Sequence, residues 1–349
     1  MSKPLAGAIR LSCLLALGLA FLTGGLRADL VWNAQTGWRV EGGILSGLTG
    51  TDGRNALDMM NKARAAEENG NLASAARTYE KVAKKYMSSI YAPEALYRAA
   101  HARLSRKQYN KAFDDFQEII LRYPNTKRFN EIIGEQYRIA SALLDGARSR
   151  IFWGIIPGFR NRDKAVLNFE IILNNAPYSD YAPLALMNIA RGHQKLGNHE
   201  EAIDALDRLI NSYPQHLLVP DAYIKLAHTH ASLVEGPDYD QASSRDAASY
   251  YEDFMILFPN DTNVSAAAKG ASDMKTMLAS SKVRMGDFYF YKRDNYTAAR
   301  VLYNEAITVY PDSEVAALAR QKLVAVEAKA AGKGSDVPSE PKKKRFLLF

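Results

Sequence analysis

The sequence predicts an all-α solenoid of about six helix pairs, and three observations predict it. One short phrase recurs six times with a constant internal spacing. Each copy closes on a helix stop, in five of them a proline. A second helical pattern precedes several of the copies, joined to them by a short polar turn.

The phrase is clearest at residues 112–124, AFDDFQEIILRYP. Ala112, Phe116, Ile119, Ile120 and Tyr123 fall on one helical face. Pro124 cannot continue the helix and pushes the residue before it towards an extended conformation. The phrase returns at 165–177, 202–214, 247–259 and 299–311, with a degenerate first copy at 75–87. An alanine opens every copy, at 75, 112, 165, 202, 247 and 299. Four residues later stands a large apolar side chain: Tyr79, Phe116, Phe169, Leu206, Tyr251 or Tyr303. The small residue lets a neighbouring helix approach, and the large one fills the space between helices. Burying such a side chain contributes about 1.5–3 kcal/mol. One pair cannot bury its own apolar face, so stacked pairs share a continuous core.

The alanines step by 37, 53, 37, 45 and 52 residues. Two steps lie near the roughly 34-residue period of tetratricopeptide repeats, and the longer ones require insertions. The partner helices read at 96–104, 136–144, 186–196 and 223–233. The joining turns are Gly70-Asn71, Lys107-Gln108, Gly197-Asn198 and Asp294-Asn295. Prolines at Pro93, Pro183 and Pro220 sit where a first helical turn tolerates them.

In chain order, residues 1–28 read as a secretory signal peptide, with Lys3 and Arg10 before an apolar run at 11–23. Cys13, the single cysteine, precedes most of that run and reads as one of its apolar residues. Residues 29–55 carry Trp32, Trp38 and several glycines and are expected to form an extended arm, packed on the first repeats or on a partner. Residues 56–324 form the solenoid. The insertion at 145–164 combines Phe152, Trp153, Ile155, Ile156 and Phe159 with Arg148, Arg150, Arg160 and Arg162, the composition of a docking surface. A polar insertion at 235–245 reads as a surface loop. Residues 325–349 read as a disordered basic tail ending in KKKR and two phenylalanine-bracketed leucines.

The net charge is +7. Three basic residues lie in 1–28, and the tail carries six basic against three acidic residues, so the folded body stands near +1. So small an excess is poor support for nucleic-acid binding, which needs a concentrated basic face. A single cysteine excludes a disulfide framework and any cysteine-rich metal site. His228 and His230 are two apart on a helix and point to different sides. No nucleophile elbow, HExxH or P-loop is present. The expectation is a protein with no catalytic set, no metal and no cofactor. On the first helices of the pairs, Tyr97-Arg98 and Tyr137-Arg138 occupy matching positions, with His101 and Arg191 on related faces. Tyrosine and arginine are favoured interface anchors, so these six residues form the candidate protein-binding groove. An extended peptide ending in an aromatic residue and a carboxylate suits such a groove, and interhelix packing is the competing role for the tyrosines.

The body over 55–324 resembles the BamD family, tetratricopeptide lipoproteins of the outer-membrane β-barrel assembly machinery. The resemblance rests on the signal peptide, on the stops at Tyr123-Pro124, Tyr213-Pro214, Phe258-Pro259 and Tyr310-Pro311, on the joins SSIYAPEAL at 88–96 and YSDYAPLAL at 178–186, and on the aromatic, arginine-rich insertion. The chain departs from that pattern in the placement of Cys13, in six pairs against the usual five, and in its tail. The resemblance implies a non-enzymatic scaffold at the periplasmic face of the outer membrane. Its implied partners are the barrel-inserting protein and unfolded outer-membrane protein substrates. A periplasmic adaptor for cell-wall synthesis shares the same build and is the alternative reading; an enzyme housed in the insertions is a third.

Overall fold

The computed structural model describes residues 29–41, 50–152, 154–239 and 241–332. The expected signal peptide with Cys13, Trp153 and the tail from 333 onwards lie outside the described residues. Thirteen helices are found among those described. In chain order they are α1 (Thr51–Glu68), α2 (Leu72–Lys85), α3 (Tyr91–Ser105), α4 (Tyr109–Arg122), α5 (Phe129–Leu144), α6 (Arg162–Asn175), α7 (Tyr181–Leu196), α8 (His199–Ser212), α9 (Val219–Ser232), α10 (Ala242–Leu257), α11 (Val264–Arg293), α12 (Tyr296–Val309) and α13 (Glu314–Ala330). They form six pairs followed by one closing helix. Two antiparallel hairpins complete the description, β1 (Asp29–Asn33) with β2 (Gly37–Glu41) and β3 (Arg150–Ile151) with β4 (Ile156–Pro157). The chain divides into two compact units at residues 182 and 183, in the first turn of α7.

The recurring phrase is the second helix of every pair. All six of its alanines are fully buried, and all six large side chains are at most 3% exposed. Three of those side chains are tyrosines, and a buried hydroxyl needs a partner. In each case the first helix of the same pair supplies it. The Tyr79 hydroxyl donates to Glu67 (3.0 Å), the Tyr303 hydroxyl donates to Asp287 (2.7 Å), and the Tyr251 hydroxyl meets Nδ1 of His228 (3.0 Å). Where the repeat uses Phe116, Phe169 or Leu206, no partner is required.

The turns and stops have equally local causes. Gly70 and Gly197 adopt φ near +74° and +81°, the left-handed conformation that ends a helix and reverses the chain. Lys107 and Asp294 hold the same conformation at the equivalent turns. Asn71 and Asn295 then cap the second helix, accepting from the amides of Ser74 and Ala298. At the far end, the hydroxyls of Ser89, Ser179 and Ser313 donate to the carbonyls of Tyr86, Ala176 and Tyr310. That bond satisfies an orphan helix carbonyl and explains the serine that follows three of the six stops.

In the first unit, α1 to α6 pack each on the next, and α2, α3 and α4 are tied by a buried arginine. Arg103 of α3 forms ion pairs with Glu80 of α2 and Asp115 of α4. Burial pushes the Asp115 carboxyl up to about 7 even with the Arg103 guanidinium beside it.

In the second unit, α8 to α13 pack in sequence, and α13 also touches α11. The 52-residue step is absorbed by the 30-residue α11. Gly270 on this helix faces the ring of Tyr251, where a Cβ would lie 2.5 Å away, and Gly286 faces the ring of Tyr303 at 2.6 Å. One long helix thus receives the large residues of two successive pairs.

The structure differs from two expected boundaries. The arm expected over 29–55 is a hairpin followed by a helix that already begins at Thr51, because Ala56 and Met60 are fully buried in the first pair. The basic tail expected from 325 begins later, because α13 continues to Ala330 with Val326 fully buried.

Two outcomes are expected. Gly286→Ala overpacks the Tyr303 contact and destabilises the protein by about 1–3 kcal/mol, and adding Tyr303→Leu recovers part of the loss in chemical denaturation. The Asp115 carboxyl binds its proton more tightly in the folded protein, up to about 7, than in the unfolded chain, near 3.8. Its contribution to stability is therefore full below that value and lost as pH rises towards about 7. Subtracting the stability profile of Asp115→Asn from that of the wild type should leave a decline confined to this window.

Candidate functional site

The candidate groove residues of the first unit lie on α3 and α5. Tyr97 is buried; its hydroxyl donates to Glu131, and the Arg128 guanidinium stands 4.3 Å from its ring centre. Burial and the bond to Glu131 push the Tyr97 hydroxyl up to about 12. One helical turn on, the His101 ring lies 4.4 Å from that of Tyr97 and edge-on to Phe116. Burial pushes the His101 imidazole below its ordinary value, which favours the neutral ring. Tyr137 is half-buried between the rings of Phe169 and Tyr181, at 5.5 and 5.3 Å. Tyr97 and Tyr137 thus share a packing role.

The arginines take three positions. Arg98 donates from Nε to Glu94 (2.9 Å), and its guanidinium lies 5.2 Å from the Trp38 ring centre. Arg138 is exposed on α5 and paired with Glu135. Arg191 is exposed on α7 in the second unit. The structure therefore groups five of the six groove residues in one unit, and brings His101 and Arg138 together at one depression of about 380 Å³. Leu104, Ser105, Tyr109, Ile139 and Ala142 complete its lining. A guanidinium beside an apolar, aromatic wall can take a carboxylate and an adjoining ring.

The first hairpin covers the neighbouring part of α1 and α3. The Trp38 amide donates to Oδ1 of Asn61 (2.8 Å), Trp32 lies 4.6 Å beneath the Arg64 guanidinium, and Asp29 pairs with Lys127 at 2.9 Å. Gly37 has φ +74° at the hairpin turn, and a Cβ there would meet Asn61 at 2.7 Å. Trp38 is only 4% exposed. The arm therefore packs on the first repeats and stacks on Arg98, one of the groove residues.

Sequence reasoning missed the ionic lattice that fixes these side chains, in which Arg128 joins Glu94 and Glu131, each at 3.3 Å. Only the Glu94–Arg98 part, four residues apart on one helix, was readable as a pair. In the second unit His228 and His230 diverge as expected: His228 meets Tyr251, and His230 stacks on Tyr250.

The insertion forms the β3–β4 hairpin. Phe152 and Phe159 are 62% and 93% exposed, Ile155 is 72% exposed, and Arg160 is exposed as well. No group of three or more His, Cys, Asp or Glu side chains among the described residues is placed to hold a metal ion. No helix among the described residues is long and apolar enough to cross a membrane.

A family model described as outer membrane lipoprotein (YfiO) matches residues 160–334, and the tetratricopeptide repeat model matches 59–89 and 94–126. The outer membrane protein assembly factor BamD of Xylella fastidiosa (strain Temecula1) is 24% identical over 159 residues, covering 43% of this chain and 54% of that protein. BamD of Rickettsia prowazekii (strain Madrid E) is 26% identical over 161 residues, covering 46% of this chain and 64% of that protein. The chain thus spans between about half and two thirds of the length of these curated relatives. A solved tetratricopeptide repeat protein from Parabacteroides merdae is 12% identical, with a TM-score of 0.31 over 78% of this chain and 99% of that one.

Asn61→Ala should free the first hairpin while leaving the helices folded. The lost hydrogen bond is worth about 0.5–1.5 kcal/mol, so amide exchange at Trp38 should accelerate several-fold, with exchange in α3 unchanged.

Proposed function

The chain belongs to the outer membrane lipoprotein family (YfiO), and on that premise we propose that it is a non-enzymatic scaffold of outer-membrane β-barrel assembly. It works in the cell envelope, at the periplasmic face of the outer membrane. It holds the barrel-inserting protein and receives unfolded outer-membrane protein substrates. The observation that carries this reading is the family match over 160–334 together with curated relatives that are themselves outer membrane protein assembly factors.

The physics of the candidate site supports a binding role. Tyr97, Arg98, His101, Tyr137 and Arg138 sit on first helices; the Glu94, Arg128 and Glu131 lattice holds Tyr97 and Arg98, and Glu135 pairs with Arg138. Preorganised aromatic and arginine side chains bind with little further loss of freedom. The depression at His101 and Arg138 accepts the end of an extended chain, with the carboxylate on Arg138 and the terminal ring on Leu104, Ile139 and Ala142. Arg191 contributes to binding from its own unit, and the insertion bearing Phe152, Trp153, Phe159 and Arg160 is a docking surface.

The test is equilibrium binding of a fluorescent peptide that ends in phenylalanine with a free carboxylate. A hydrogen bond to a charged group is worth about 1.5–3 kcal/mol, so Arg138→Ala and amidation of the peptide terminus should each weaken binding by about tenfold or more. Together they should cost little more than either alone. Equal binding of the free and amidated peptides would refute the site.

A further inference from the structure

From the β3–β4 hairpin we infer an interfacial membrane anchor: its apolar side chains enter an anionic lipid surface while its arginines hold the headgroups. The inference deepens the reading above, since it names what the docking insertion meets, and it rests on the envelope location proposed there.

The sequence of this stretch is close to symmetric. RSR precedes the apolar run and RNR follows it, at 148–150 and 160–162. Residues 145–164 hold five basic side chains against two acidic ones. Arg148, Arg150 and Arg160 are exposed, and none of the three enters an ion pair among the described residues. Lys107, also exposed, adds a cation at the turn beneath the hairpin.

Between these arginines the chain displays apolar surface that a water-facing loop does not need. Ile151, Phe152, Ile155, Ile156 and Phe159 are 42%, 62%, 72%, 49% and 93% exposed. Their exposure follows from how the hairpin is fastened. The Arg150 amide donates to the Lys107 carbonyl (2.8 Å), and the Asn110 amide donates to Oγ of Ser149 (3.2 Å). The Gly158 amide donates to the Ser149 carbonyl (3.0 Å). Gly154 is buried, with Arg106 and Gln108 against it. One side of the hairpin is therefore stitched to the turn between α3 and α4, and the other is left to present the isoleucines and phenylalanines.

Two features favour lipid over a protein partner. The exposed side chains carry no hydrogen-bonding group, so they supply buried area without specifying a complementary polar surface. The cations sit on both legs of the hairpin. That arrangement matches a planar anionic surface, where each basic residue adds attraction and aromatic side chains favour the headgroup level.

The test uses the full chain with vesicles of phosphatidylcholine, with or without phosphatidylglycerol, whose acyl chains carry bromine. Trp153 lies in the sequence between Phe152 and Gly154, so bromine quenches its fluorescence on insertion. Anionic vesicles are expected to quench the wild type, and Trp153→Phe to lose that quenching. Phe152→Ser with Phe159→Ser should lower partition onto anionic vesicles at least tenfold. Arg148→Gln, Arg150→Gln and Arg160→Gln together should do the same, while the three lysine replacements retain most of the binding. These side chains are exposed, so thermal unfolding of the variants should match the wild type.

Equal quenching in Trp153→Phe would place the membrane contact elsewhere, in the leader or the basic tail, and overturn the inference. So would serine variants that keep vesicle binding but lose a co-purifying envelope protein, which would make the hairpin a protein-docking surface. Either result leaves the scaffold reading standing. That reading fails separately, if the unaltered chain captures no component of barrel assembly.

Discussion

Every helix pair closes on a fit between a side chain reduced to a methyl group and a large one a helical turn away. Ala75 with Tyr79, Ala112 with Phe116 and Ala299 with Tyr303 are all fully buried. The alanine allows close approach, and the large residue fills what that approach leaves. Interiors pack to the density of organic crystals, so neighbouring positions must conform. They do so by giving up a side chain at Gly270 and Gly286, and by supplying a hydrogen-bond acceptor at Glu67 and Asp287. A repeat that chooses tyrosine over phenylalanine therefore constrains a second position on the partner helix.

The same construction places the candidate site. The candidate residues of the first unit stand on two first helices, α3 and α5, and the spacing of Tyr97 and His101 by one turn brings their rings to 4.4 Å, tilted at 56°. Charged residues then fix what packing leaves loose: Arg128 reaches Glu94 on one helix and Glu131 on the next. The first hairpin adds Trp38 to this face through Asn61 and Arg98. The arrangement has the properties of a recognition surface, with rigid rings, paired charges and an open arginine-lined depression.

Much of the fold was legible because its cause is periodic. The alanine and the large residue after it recur at fixed intervals, and so do the helix stops, which place six second helices without ambiguity. The long α11 was not legible, since a lengthened helix and an inserted loop both appear only as a longer step between alanines. The hairpins were missed for a different reason. Each is short and held by tertiary contacts such as Trp38 to Asn61 and Arg150 to Lys107, which leave no local period. The end of α13 was read too early because its alanine and lysine content resembles a tail, whereas burial of Val326 decides the matter. At the site, residue types were readable and grouping was not. His101 and Arg138 share a depression, while Arg98 turns to Trp38 and Tyr97 is enclosed.

The most direct measurement of the central claim is an affinity capture from the protein's own envelope. The tagged full chain is expressed at native level, membranes are solubilised gently, and the co-purifying proteins are identified against an untagged control. The scaffold account predicts enrichment of the barrel-inserting outer-membrane protein. Enrichment of cell-wall synthases, or of soluble periplasmic proteins alone, would contradict it and assign the repeats to a different envelope assembly.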